Sequence, residues 1–217
     1  MAWHRALAPV GLSVGLVGLT VDFAIIVPSL MTVSAGDPIA LSLPGALVSF
    51  WTYFTHLTNL GLLLVYLSVL SSWRGLAWFR RPRAMAAMAV YITLVMVYYH
   101  FMLAPYYQFE GPLLLATILL HYVAPLCYLG WWAMAVPHGQ LRARDVLWIL
   151  VPGLAYVAWV LLRGALTGQY PYDILDAGRF GYLTVGTGVG ALALAVSTIA
   201  GVAVLVDRLL ARHRHPA

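Results

Sequence analysis

The sequence has no lysine, one cysteine and few charged residues of any kind. All 12 of its basic residues other than histidine are arginines, and charged residues occupy 9% of its 217 positions. Without lysine the chain cannot form a Schiff base through that side chain, which excludes a retinal pigment. The single cysteine, Cys127, excludes an intramolecular disulfide and a thiolate metal cluster. A soluble domain carries roughly 25% charged residues, so the composition also excludes an ordinary soluble fold.

Long apolar runs take the place of the missing charge, and hydrophobic residues make up 63% of the chain. Six runs are close to or above the roughly 20 residues that cross the hydrocarbon of a bilayer. The sequence therefore predicts an all-α integral membrane protein, a six-transmembrane-helix bundle that forms one domain over residues 1–217. In the last run, Gly186 and Gly190 predict close helix packing. The predicted spans are 7–31, 46–70, 85–104, 113–135, 146–165 and 181–206.

The arginines are divided unevenly between the two ends of these spans. Ten lie on the side of the chain termini, and only Arg163 and Arg179 lie on the other side. Because positive residues gather on the cytoplasmic side, both termini are predicted to be cytoplasmic, and the net charge of +5 does not imply a nucleic-acid partner. The first run is longer than the apolar region of a signal peptide, so we expect no cleavage at Val33-Ser34-Ala35. The lysine-free composition looks bacterial, which predicts the inner (plasma) membrane.

A polar stripe interrupts the apolar surface of the second predicted span. Thr52, Thr55, His56 and Asn59 stand at positions i, i+3, i+4 and i+7, which share one face of a helix. Such a face must meet other helices or a wet cavity rather than lipid tails. Hydrogen bonding between helices explains the stripe as well as a functional site does.

Two further polar residues lie at a similar predicted depth. At about 1.5 Å per residue from the outer end of each span, Thr55, His121 and Asp22 all lie roughly 12–13 Å deep. Pro125 follows His121 by four residues and lacks the N–H that would bond the His121 carbonyl, so the helix should bend there. These observations favour a site in the outer half of the membrane, although an ordinary proline kink beside a core histidine also fits the fourth span.

Three short motifs resemble those of one family, the androgen-induced six-helix membrane hydrolases (the FAR/AIG-like family). Phe54-Thr55-His56-Leu57-Thr58-Asn59 resembles the family's threonine-bearing motif in the second span. His121-Tyr122-Val123-Ala124-Pro125-Leu126 resembles its His-x-x-x-Pro motif in the fourth span. Tyr170-Pro171-Tyr172 resembles its Tyr-Pro element before the last span.

The resemblance implies an intramembrane threonine hydrolase that cleaves lipid esters such as fatty acid esters of hydroxy fatty acids. It assigns the catalytic nucleophile to Thr55 and the catalytic histidine to His121, and it implies no cofactor and no metal. One departure is Leu57, at the position where the family carries an aspartate two residues after its threonine. The expected partner is a membrane lipid or fatty acid ester.

Several other residues are assigned supporting roles in this hypothesis. Asp22 is expected to orient the imidazole of His121, with Asn59 behind it. An oxyanion donor is expected from His56, Asn59 or Tyr99. Substrate binding is expected from Tyr172 of the Tyr-Pro element and from Arg163 or Arg179, because a guanidinium can hold a substrate carboxylate.

Two alternatives from other functional classes remain open on the sequence alone. His56, His100 and His121 lie on three different spans, and facing histidines can bind haem or a transition metal. A non-catalytic lipid-binding or transport protein would need the same polar cavity without its chemistry.

The arginine distribution gives a direct test of topology. We expect a reporter fused to the C-terminus to be active only if that reporter works in the cytoplasm, since ten of the arginines should stay on that side. Activity of a C-terminal reporter that works only outside the cytoplasm would contradict the predicted orientation.

Overall fold

The computed structural model describes residues 3–33, 39–71 and 73–214 of the chain. These residues form helices and connecting turns and contain no strand, which confirms the all-α prediction. Ser34 and Ala35 of the candidate cleavage sequence lie outside the described residues.

The chain divides into two compact units, residues 1–136 and 137–217. The prediction of one domain over residues 1–217 remains a prediction. The helices of the first unit are α1 (Trp3–Leu30), α2 (Leu43–Phe50), α3 (Phe54–Leu70), α4 (Pro82–Tyr98), α5 (Gly111–Ile118) and α6 (Ala124–Ala135). Shorter elements of this unit are a 3₁₀ helix (Arg74–Arg80) and two π-helical turns, Tyr99–Leu103 after α4 and Leu119–Val123 between α5 and α6. The second unit contains α7 (Asp145–Thr167), a 3₁₀ turn (Asp173–Leu175) and α8 (Ala177–Arg214).

Five helical segments of the described chain are long and apolar enough to cross a membrane. They become six if the bent pair α2 and α3 is counted as one span. The five segments are Ala6–Leu30, Pro82–Leu103, Gly111–Ala135, Asp145–Thr167 and Ala177–Arg212. Helices long and apolar enough to span a membrane are therefore confirmed, while the count of six and the orientation of the termini stay predictions.

The second predicted span is broken, so the prediction of one continuous helix there is wrong. Helices α2 and α3 meet at an angle of 74°. The hydroxyl of Thr52 donates to the carbonyl of Val48 at 2.6 Å, and the N–H of Thr52 bonds the carbonyl of Ser49 at 3.0 Å. These bonds close the end of α2, and the extended backbone of Tyr53 starts α3 in a new direction. Thr52 therefore lies in the break rather than on the predicted stripe, and the straight-helix estimate of the depth of Thr55 does not apply.

Close packing in the first unit depends on glycines of α1. A Cβ added at Gly11 would overlap the ring of Tyr66 on α3, and one added at Gly15 or Gly18 would lie 2.9 Å from a leucine side chain. These three glycines let α1 approach α3 and the π-helical turn after α5. The sequence prediction placed the close-packing glycines elsewhere, at Gly186 and Gly190. Within the described residues of the second unit that prediction is wrong, because none of their atoms lies within 4 Å of a Cβ added at either position.

We expect Gly11→Ala to lower the free energy of unfolding by about 1–3 kcal/mol, the usual cost of overfilling a packed core. The ring of Tyr66 is 1% exposed and packs edge-on against Tyr128 and Trp131, so it has little room to move away. Unfolding of the detergent-solubilised protein measures the effect. Gly186→Ala is the matched control, since its added methyl meets nothing, and equal stability of the two variants would contradict the packing argument.

Candidate functional site

Thr55 and His121 meet inside the first unit although 66 residues separate them in the chain. Thr55 lies in the first turn of α3, and His121 lies in the π-helical turn between α5 and α6. The hydroxyl oxygen Oγ1 of Thr55 is 3.4 Å from Nε2 of His121, and both side chains are half-buried. The two residues singled out from the sequence are therefore in contact, at the long end of hydrogen-bond distance.

The protonation of the His121 ring follows from its other contact. Its Nδ1 lies 3.0 Å from the backbone carbonyl of Thr117, which can only accept a hydrogen bond. The proton of the neutral ring is therefore on Nδ1, and the lone pair of Nε2 faces the hydroxyl of Thr55. This is the tautomer that a general base needs in order to take a proton from that hydroxyl. The orienting group is a backbone carbonyl, so the expectation that Asp22 orients His121 is wrong.

An aromatic ring covers the imidazole of His121. Tyr99 stacks on it with ring centroids 4.0 Å apart and an angle of 27° between the planes. Tyr99 begins the π-helical turn after α4, and Tyr122 of the other π-helical turn packs against it edge-on at 5.7 Å. Single π-helical turns occur often at functional sites because they shift the side chains that follow by part of a turn. Here the two turns bring Tyr99 and His121 face to face.

Pro125 produces an unpaired carbonyl that a side chain satisfies. The N–H of Ala124 bonds five residues back rather than four, and Pro125 has no N–H, so neither bonds the carbonyl of Leu120. The amide Nδ2 of Asn59 donates to that carbonyl at 3.3 Å and also to the carbonyl of Thr55 at 2.9 Å. Asn59 therefore joins α3 to the π-helical turn that carries the histidine.

Asp22 and His56 form a second polar pair beside Thr55. Nε2 of His56 is 2.7 Å from Oδ2 of Asp22, and its Nδ1 is 2.6 Å from the backbone carbonyl of Phe50. Both side chains are buried, and the ring of Phe50 stacks on the imidazole at 3.8 Å. The ring nitrogens of His56 thus have protein partners, as does the amide nitrogen of Asn59. The expectation that His56 or Asn59 supplies an oxyanion donor is wrong, and Tyr99 keeps that candidate role.

The three histidines of the metal or haem alternative have separate surroundings. His100 is exposed and its Nδ1 is 3.2 Å from the hydroxyl of Tyr122, whereas both nitrogens of His56 face protein acceptors. Over residues 3–33, 39–71 and 73–214, no three His, Cys, Asp or Glu side chains are grouped so that they could hold a metal ion.

The residues expected to bind substrate belong to the second unit. Arg163 is buried, and its guanidinium donates to the carbonyl and to the side-chain oxygen of Gln169, both at 3.0 Å. Arg179 is exposed and lies 3.9 Å from the carboxylate of Asp173. Tyr172 packs against the apolar cluster of the unit. Arg163 thus shapes the turn that follows α7, and a substrate role for any of the three stays a prediction.

The second unit holds another buried His–Asp contact, to which the sequence analysis assigned no role. Nδ1 of His138 is 3.0 Å from Oδ1 of Asp207, and Oδ2 of Asp207 accepts the backbone N–H groups of Gly139 and Leu141. Asp207 therefore fastens the segment before α7 to the end of α8. The sequence carries one sign of this contact, a carboxylate near the end of an apolar span. No local pattern indicates which segment pairs with that carboxylate.

The fold and the site define a helical chain with helices long and apolar enough to span a membrane and with a threonine–histidine pair in its first unit. A scan against protein-family models, a search of curated proteins and a search of solved structures found no match to this chain. The resemblance to the FAR/AIG-like family therefore stays a prediction.

A double-mutant cycle tests whether Asn59 compensates for the backbone N–H that Pro125 lacks. We expect Asn59→Ala to cost about 1–3 kcal/mol of unfolding free energy, because it leaves the carbonyl of Leu120 buried without a donor. Pro125→Ala supplies a backbone N–H near that carbonyl, so the double variant should lose less than the sum of the two by about 0.5 kcal/mol or more.

The matched control for this cycle is Ser68→Ala, which removes a hydroxyl that donates to the carbonyl of Val65 within α3. Its effect should add to that of Pro125→Ala, since the two sites share no partner. Strict additivity of Asn59→Ala with Pro125→Ala in denaturant titrations would show that Asn59 does not compensate for the proline.

Proposed function

We propose that this chain is an intramembrane threonine hydrolase that cleaves lipid esters such as fatty acid esters of hydroxy fatty acids. The observation that carries the proposal is the contact of Thr55 Oγ1 with the unprotonated Nε2 of His121 at 3.4 Å. A threonine hydroxyl is a weak nucleophile at neutral pH and needs an adjacent base. In a protein without bound substrate such a contact is often long and tightens in the substrate complex.

The reaction runs in two steps. Oγ1 of Thr55 attacks the ester carbonyl while Nε2 of His121 takes the hydroxyl proton, and the tetrahedral intermediate then expels the alcohol as Nε2 returns that proton to the leaving oxygen. Water next attacks the acyl-threonine carbonyl and gives a proton to Nε2. Collapse of the second intermediate breaks the bond to Oγ1, which regains its proton from Nε2, and the fatty acid leaves.

The start of α3 supplies a donor for the negative oxygen that forms in each step. Thr55 lies in the first turn of α3, where backbone N–H groups precede any helical carbonyl that could accept from them. The positive end of the helix dipole also lies there. The N–H of Thr55 is therefore our choice of oxyanion donor, and the hydroxyl of Tyr99 is the second candidate.

Exposed apolar side chains beside the site favour a lipid substrate. Leu57 follows Thr55 on α3, Ile118 directly precedes the π-helical turn of His121, and Phe101 lies on the turn that begins with Tyr99, and all three are exposed. In a bilayer these side chains would contact acyl chains. An ester held among the acyl chains can then approach Thr55 without leaving the membrane.

The central test is the activity of variants at the two reacting residues. We expect Thr55→Ala and His121→Ala each to reduce hydrolysis of a hydroxy-fatty-acid ester by about 10²–10⁴-fold, because each removes one half of the same step. The double variant should be little worse than either single variant, since residues that act as one unit are non-additive. Thr55→Ser keeps the hydroxyl and should retain activity. Turnover of the ester by the purified protein is the measurement.

Thr58→Ala is the matched control, since it removes a buried threonine of the same helix whose hydroxyl has no hydrogen-bond partner in the described structure. A fluorophosphonate probe adds a covalent readout, and labelling that survives Thr55→Ala would refute the mechanism. Absence of turnover in every variant would favour a lipid-binding or transport protein. Visible absorbance that is lost in histidine variants but kept in Thr55→Ala would favour a haem protein.

A further inference from the structure

We infer that the Asp22–His56 pair is the positioning device that holds Thr55 against His121, by fixing the break between α2 and α3. The inference rests on the proposed function of Thr55. His56 directly follows Thr55 in the chain, and its ring contacts both the last residue of α2 and a carboxylate on α1. The roles given to Asp22 and His56 by the sequence, orienting His121 and binding an oxyanion, are thereby replaced.

The hydrogen bonds of His56 require one proton to lie between its ring and Asp22. The carbonyl of Phe50 can only accept, so Nδ1 of His56 donates to it across 2.6 Å. The contact of Nε2 with Asp22 Oδ2 at 2.7 Å then joins either an imidazolium to a carboxylate or a neutral imidazole to a carboxylic acid. Either arrangement is neutral overall, which makes the pair acceptable in an apolar surrounding.

The imidazole of His56, on α3, also contacts α1 and α2. Phe50 ends α2, is fully buried and packs in a cluster with Val27 of α1 and Ala46 of α2. The imidazole of His56 lies on its ring at an angle of 12° and bonds its carbonyl, so the end of α2 is held against the first turn of α3. Asp22 holds the other edge of the imidazole from α1. Thr55, one residue earlier in the same turn, cannot shift unless these contacts break.

A direct role of Asp22 on His121 does not account for these contacts. The Nδ1 proton of His121 goes to the carbonyl of Thr117, and Oδ2 of Asp22 faces His56 instead. The pair therefore acts on Thr55 through the backbone, and His121 has its own orienting group.

The test compares substitutions that keep or remove the hydrogen bonds of the pair. In Asp22→Asn the new amide can donate to a neutral Nε2 of His56 while Nδ1 still donates to Phe50, so the geometry survives without the carboxylate. Asp22→Leu removes the acceptor and leaves Nε2 of the buried His56 without its partner. The double variant Asp22→Leu/His56→Leu removes both polar groups together, which buried pairs tolerate better than the loss of one partner.

We expect ester turnover with kcat close to wild type for Asp22→Asn and reduced by about 100-fold for Asp22→Leu and for the folded double variant, with KM little changed. The reason is that a misplacement of about 1 Å at the nucleophile is enough for such a loss. Thr58→Val is the matched control, because it removes a buried hydroxyl from the same helix and should leave kcat unchanged. Full activity of the folded double variant would overturn the inference.

A second readout does not depend on hydrolase activity. In a Cys127→Ala background, Thr55→Cys places a thiol beside Nε2 of His121, which should raise its rate of alkylation by N-ethylmaleimide because the thiolate is the reactive form. Adding Asp22→Leu, alone or together with His56→Leu, should slow this reaction by about 10-fold or more. Adding Asp22→Asn should not slow it. Unchanged alkylation in the folded leucine variants would overturn the positioning role. If the wild type hydrolyses no ester but the alkylation pattern appears, the proposed function fails while the positioning of residue 55 holds.

Discussion

The imidazole of His56 satisfies a constraint that the bilayer imposes on a broken helix. Ending one helix and starting another inside an apolar segment frees backbone groups, and lipid tails offer no hydrogen bonds to replace the lost ones. Here Thr52 closes the end of α2, and the carbonyl of Phe50 accepts from His56 as well as from the N–H of Tyr53, while Asp22 pairs with the imidazole from α1. Because the break is satisfied in this way, Thr55 stands at the beginning of a helix rather than in its middle.

A second irregularity faces the first and is satisfied in a related way. Pro125 and the π-helical turn before it leave the carbonyl of Leu120 without a backbone donor, and Asn59 of α3 supplies one. The same amide holds the carbonyl of Thr55. The break before α3 and the π-helical turn before Pro125 are therefore joined by hydrogen bonds, and the contact of Thr55 with His121 lies between them. Reactive groups are well placed at such points because their supporting contacts leave them few alternative positions.

The two units use buried histidine and aspartate for different purposes. In the first unit the Asp22–His56 contact lies beside the hydroxyl of Thr55. In the second unit Asp207 accepts hydrogen bonds from His138 and from two backbone N–H groups, and these bonds join a connecting segment to the end of α8. A buried His–Asp pair is thus not in itself a sign of catalysis, and the first pair is of interest because it lies beside the hydroxyl of Thr55.

The sequence by itself determined the helical class and the apolar segments, and it singled out Thr55 and His121, because composition, run length and short motifs are local properties. Their contact was decided by the tertiary structure, since the break at Thr52 removes the depth estimate that had paired them. The sequence also indicated a disturbance near Pro125, since the missing N–H is a property of that residue. The break at Thr52, the partner of Asp22 and the glycines that matter for packing were decided only by the tertiary structure. Each depends on which side chain from a distant segment arrives to accept or donate a hydrogen bond, or to fill the space above a glycine. A helical stripe drawn on residues 52–59 contains no information about Asp22 of α1 or about the carbonyl of Leu120, and those contacts determine how the chain bends.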